Sequence, residues 1–203
     1  MVEKILKDVH IRAALKKALA LRHQNDPETL VVEEIGLRDG LARIDVAVVN
    51  HTLHGFEIKS DCDRVDRLPH QSEAYGAIFD RMTLVVGPRL QKTAMALIPE
   101  WWGVELAERS GSRKVQFSSL RPARENTHFD ALAIAKLLWR EEALNLLIEL
   151  GHAKGVLSKP RARIHERLAE VSDLEFLRYR LRDRLKNRAN WRFDEPQNRP
   201  PKK

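Results

Sequence analysis

RIDVAVVNHTLHGFEIKSD, residues 43–61, is the stretch on which the reading of this chain turns. Two Val- and Ile-rich runs, Ile44–Val49 and Phe56–Lys59, flank a polar segment, the pattern of an antiparallel hairpin. With the turn centred near His51, position 45 lies opposite 57 and position 43 opposite 59. Cross-strand neighbours hold their Cβ atoms roughly 4.5–5.5 Å apart, which sets Asp45 beside Glu57. Lys59, two residues further on, projects from the same face. Carboxylates are poor strand residues, so two of them inside apolar strands need a reason. Neighbouring carboxylates repel unless a proton or a cation lies between them. Oxygen ligands of this kind suit Mg²⁺ or Mn²⁺, and ion pairs on an exposed sheet face are the alternative.

Working outward, residues 4–22 place Ile5, Val9, Ile11, Leu15 and Leu19 near a helical period. Leu30–Ile35 reads as a first strand, carrying Glu33 and Glu34. Beyond the hairpin, Leu68–Asp80 reads as a helix and Thr83–Val86 as a strand. Gly87-Pro88 breaks the chain, Gln91–Leu97 forms a short helix, and a strand follows the packing anchor Trp101-Trp102. Lys114–Phe117 is an edge strand inside an otherwise polar stretch. His51 and His54 read as turn polarity. From Phe129 onward the pattern is helical, and the Pro-rich segment 192–203 reads as a disordered tail.

The order helix, three strands, helix, strand implies an α/β fold: a mixed sheet flanked by helices, with a helical C-terminal extension. The expected units are residues 1–127, 128–191 and 192–203.

The chain has 203 residues and a formal net charge of +7. Residues 1–150 hold 21 basic and 22 acidic residues, whereas 151–192 hold 12 and 5, so the excess is concentrated near the C-terminus. That is the footprint of a phosphate-binding surface. One cysteine, Cys62, excludes an intrachain disulfide. No apolar run approaches the roughly 18 residues of a membrane span. A cytoplasmic protein with no membrane partner is expected.

Asp45, followed by Glu57-Ile58-Lys59, resembles the D…ExK signature of the PD-(D/E)XK nuclease superfamily. Glu34 in the preceding strand and Gln71/Tyr75 at QxxxY spacing strengthen the resemblance, as does the order of elements. It covers roughly residues 4–107, and Ile44 stands where the family name has Pro. The resemblance implies a restriction-endonuclease-like core that hydrolyses phosphodiester bonds in DNA, in repair, recombination or phage defence. Asp45, Glu57 and the carbonyl of Ile58 would bind Mg²⁺ or Mn²⁺. Lys59 would stabilise the transition state. Glu34 would stand near the metal, or Glu33 if the register differs by one. Gln71 and Tyr75 would orient the site. Cutting both strands would favour a homodimer or a larger DNA-processing complex. A catalytically silent nucleic-acid-binding protein, or a nuclease-like subunit of a complex, is the alternative.

In the C-terminal region, Ser158 reads as an N-cap and Pro160 as the first turn of a helix. Lys159, Arg161, Arg163 and Arg167 surround that start and make it a candidate DNA contact. The two-helix spacing resembles a SAP-type or helix-turn-helix module. Arg178, Arg180, Arg182, Arg184 and Arg188 are expected to extend the basic face.

Overall fold

Val- and Ile-rich runs between residues 30 and 59 form a three-stranded antiparallel meander: β1 (Leu30–Leu37), β2 (Ala42–Val49) and β3 (Leu53–Lys59). The computed structural model describes residues 5–37, 42–110 and 114–188. The chain then crosses through helix α2 (Leu68–Gly76) to β4 (Arg81–Val86), parallel to β3. A short helix α3 (Gln91–Met95) leads to β5 (Gly103–Arg109), parallel to β4. The edge strand β6 (Val115–Arg121) returns antiparallel. The sheet order is β1-β2-β3-β4-β5-β6. The mixed α/β class and the expected order of elements are both present.

Helix α1 (Asp8–Arg22) buries Ile11, Leu15 and Leu19, spaced by four as a one-sided helix requires. They pack with Val46, Val48, Phe56, Ile58, Val85 and Ala107 on one face of the sheet. The opposite face carries the larger core. There Val32, Ala47, Val49, Leu84 and Val86 form one cluster with α2 and with the C-terminal helices.

Those helices are α4 (Ala131–Ala135), α5 (Arg140–Glu149), α6 (Arg161–Val171) and α7 (Leu174–Asn187). Asp130 caps α4 by accepting from Ala133 N, and Asp173 caps α7 by accepting from Glu175 N and Phe176 N. Ile164 and Leu168 of α6 and Leu177, Leu181 and Leu185 of α7 are buried in the cluster that also contains the sheet residues. The helical extension therefore shares its apolar core with the sheet.

Three local expectations change. Helix α2 ends at Gly76, short of Asp80. The Asp80 carboxylate instead accepts from Leu53 N at 2.5 Å and is gripped by Arg178 and Arg182. His54 lies inside β3 rather than in the turn, stacked on Phe56, with Nε2 2.8 Å from Thr83 Oγ1. Burial pushes its pKa down to about 4, so it is neutral at physiological pH. The N-cap of α6 is Pro160, not Ser158, and the helix proper begins at Arg161. The tail expected over 192–203 lies outside the described residues.

The expected basic face of α7 is also corrected. Its cations are paired with carboxylates: Arg178 and Arg182 with the buried Asp80, Arg180 and Arg184 with Glu149, and Lys186 with Glu28. Arg188, just past the helix, pairs with Glu142.

Because sheet and C-terminal helices share one core, Leu181→Ala should cost about 2–5 kcal/mol. Unfolding followed by tryptophan fluorescence and by far-ultraviolet circular dichroism should still give coincident transitions. Separate transitions would show that the helices melt on their own.

Candidate functional site

The β2–β3 pairing runs from Val49↔Leu53 to Val46↔Phe56, the register that sets 45 opposite 57. There the ladder stops, and a side chain replaces it. Asp45 Oδ2 accepts from Ile58 N at 2.7 Å, satisfying an amide that the neighbouring strand no longer reaches. Asp45 Oδ1 accepts from Arg12 Nη2 at 2.7 Å, and the Asp45 carbonyl accepts from Arg12 Nη1 at 3.1 Å. Arg12 sits on α1 and is also bonded to Asp8 one turn earlier. The β1–β2 ladder breaks at the same level, pairing Glu33 with Val46 and Ile35 with Ile44. The residue between them on β1, Glu34, has left-handed backbone at φ 57°, a conformation unusual for a residue with a side chain.

Glu57 is only 2% exposed. Its Oε1 accepts from Lys59 Nζ at 2.6 Å and from Gln71 Nε2 at 2.7 Å. Its Oε2 lies 2.8 Å from the Tyr75 hydroxyl, which is also 2.9 Å from the carbonyl of Arg43. A phenol has one proton, so Tyr75 can donate to only one of these at a time. Gln71 and Tyr75, four apart on α2, reach Glu57 from the same helix face.

The structure thus brings Asp45, Glu57, Lys59, Gln71 and Tyr75 together. It does not bring in Glu34, which pairs with Arg43 at 3.2 Å, nor Glu33, which pairs with Lys16 on α1. Lys159, Arg161, Arg163 and Arg167 lie elsewhere, in and around the start of α6. Lys159 and Arg163 are exposed, and Arg161 and Arg167 half-buried. Arg12 is the participant that sequence reasoning missed. Its available signal was its place four residues after Asp8 on the amphipathic helix.

A divalent cation fits this donor set poorly. Arg12, which Asp8 shares, and Lys59 already occupy Asp45 and Glu57, so both carboxylates have cationic partners among the protein's own side chains. Ile58 contributes its N–H to Asp45. A metal would have to displace Arg12 to reach Asp45 Oδ1. Among the described residues, no group of three or more His, Cys, Asp or Glu is arranged to hold a metal ion.

Residues 1–196 match the family model of bacteriophage P4 protein cII. The chain belongs to the P4 cII family. A relative, Protein cII of Enterobacteria phage P4, is 24% identical over 147 residues, which cover 72% of this chain and 55% of the relative. The chain therefore spans little more than half the length of that relative. No solved structure matches it.

Membership in the P4 cII family corrects the nuclease expectation. The family that matches nearly the whole chain is not a nuclease family, and the resemblance to the PD-(D/E)XK superfamily does not stand. With it fall the assignments as a Mg²⁺- or Mn²⁺-dependent deoxyribonuclease and as a hydrolase in repair, recombination or phage defence. In this P4 cII family member the carboxylates of the D…ExK residues are each held by donors of the protein itself.

What such a network can do is hold a proton. Burial first, then the neighbouring Asp45 charge, push the Glu57 pKa up to about 7, against the pull of Lys59 and Tyr75. Burial likewise raises Asp45, against Ile58 N–H and Arg12. A carboxyl whose folded pKa exceeds its unfolded value holds more protons folded than unfolded between the two. Stability therefore falls as pH rises from about 4.5 through about 7. The wild-type unfolding free energy should drop across that window by an amount on the order of 2–3 kcal/mol, and the melting temperature with it. Glu57→Gln should flatten the profile in thermal melts at stepped pH. An equally steep slope in the variant would place the titrating group elsewhere.

Proposed function

We propose that this P4 cII family member is a phage regulatory protein that acts by occupying DNA rather than by cutting it. The observation that carries the reading is the start of α6 with the loop before it. Lys154 and Lys159 are exposed in residues 151–160, and Arg163 is exposed in the first turn. That turn contains no acidic residue. The unpaired amides at a helix N-terminus and the positive end of its dipole favour anions, and the surrounding cations add to both effects.

The pairs that Arg163 makes with Glu166 and Arg167 with Glu170 are surface i,i+3 contacts. Pairs of this kind contribute about 0–1 kcal/mol, so a phosphate can exchange for the glutamate at little cost. Arg161 donates to the carbonyl of Lys136 and would orient the turn while contributing charge. Contacts of this type recognise the backbone and set affinity, while sequence preference needs base contacts in addition.

No helix among the described residues is long and apolar enough to cross a membrane. A DNA-bound role in a phage-infected cell would place the protein in the cytoplasm.

Fluorescence anisotropy with a short labelled duplex should show binding that weakens steeply with salt and is unchanged by EDTA. Lys159→Glu combined with Arg163→Glu should weaken it roughly 10- to 100-fold at low salt and lower the salt slope by about 2. No binding by the wild type, or an unchanged slope in the double variant, would overturn the reading.

A further inference from the structure

Helix α7 carries two arginine pairs at i,i+4 spacing, and one carboxylate grips each pair. Asp80 holds Arg178 and Arg182; Glu149 holds Arg180 at 2.5 Å and Arg184 at 3.5 Å. The two grips differ in kind. The Asp80 side chain is 7% exposed and also accepts from Leu53 N, which fixes it in the core. The Glu149 side chain is 46% exposed, and its arginines are 22% and 30% exposed. Glu149 is also the last residue of α5, where the negative end of the helix disfavours a carboxylate.

We propose that Arg180 and Arg184 form a second contact for the DNA phosphate backbone, guarded by Glu149 as a built-in competitor. A phosphate takes the place of the Glu149 carboxylate on the two guanidinium heads, whose planar forks match its oxygens. Helix α7 stays seated throughout, held by Leu177, Leu181 and Leu185 in the core and by the Asp80 grip. Only side chains reorient, chiefly that of Glu149, the most exposed of the three. Glu149 itself stands at the entry to the segment bearing Lys154 and Lys159, so the guard adjoins in sequence the surface already assigned to DNA. This inference rests on the DNA-binding reading and adds a set-point to it: the carboxylate lowers affinity and suppresses indiscriminate binding.

The test is anisotropy of the full chain with a short duplex across a salt series, for wild type, Glu149→Gln and Glu108→Gln. Glu108 is an exposed residue of β5, paired with Gln116 of the edge strand, and its substitution removes the same charge elsewhere. Glu149→Gln should bind about 3- to 10-fold more tightly at low salt with a slope steeper by about 1–2, while Glu108→Gln should change affinity less than about twofold. Adding Arg180→Gln and Arg184→Gln to Glu149→Gln should abolish the gain. Equal effects of the two glutamate substitutions, or a gain that survives loss of the arginines, overturn the guard while leaving DNA binding in place. Absence of DNA binding in every variant overturns both readings.

Discussion

A carboxylate that has been taken out of water must be supplied with donors, and Glu57 obtains its donors from two separate elements. Lys59 approaches along the same strand, and Gln71 and Tyr75 approach from α2. The adjacent Asp45 is served by Arg12 of α1 and by the backbone of β3. Helices α1 and α2 are thus located by two adjoining polar groups, centred on Asp45 and Glu57. Apolar packing alone would tolerate some sliding of α1 and α2; the bond lengths of this network do not. Removing one partner would leave a buried charge unpaired, which typically costs about 3–5 kcal/mol.

The same demand explains the local geometry. Backbone amides at the end of a hairpin need acceptors when strands diverge. Asp45 fills that role for Ile58, and Arg12 satisfies the freed Asp45 carbonyl. The irregular backbone at Glu34 sits at this level of the sheet. Divergence of the strands and burial of the carboxylates are consequently one feature, seen once in the backbone and once in the side chains.

Much of the architecture was legible from local pattern. Short Val- and Ile-rich runs marked β1 to β4, and the turn near His51 fixed the register that sets 45 against 57. Spacing by four placed Gln71 and Tyr75 on one face of α2. What local pattern could not supply was partners distant in the chain. Arg12 lies 33 residues before Asp45, and Asp80 lies 98 residues before Arg178. Without Arg12, Asp45 and Glu57 read as a pair in want of a metal; with it, each carboxylate has a cationic partner in the protein. Without Asp80 and Glu149, α7 reads as an open basic face. A short motif records which residue types recur at a spacing and carries no information on which opposite charge closes over them.

Net charge misleads for a related reason. Residues 151–192 carry an excess of seven basic residues, yet the arginines of α7 spend their charge on Asp80 and Glu149. The carboxylates that neutralise them lie in the nearly neutral segment 1–150, so a segment-by-segment count separates partners that the fold brings together. Long-range potential still reflects the total, and a chain at +7 attracts polyanions. Close contact depends instead on which heads can leave their present partners. Burial decides that: a carboxylate tied to a backbone amide in the core holds its arginines permanently, whereas one at the exposed end of a helix holds them only until a stronger anion arrives.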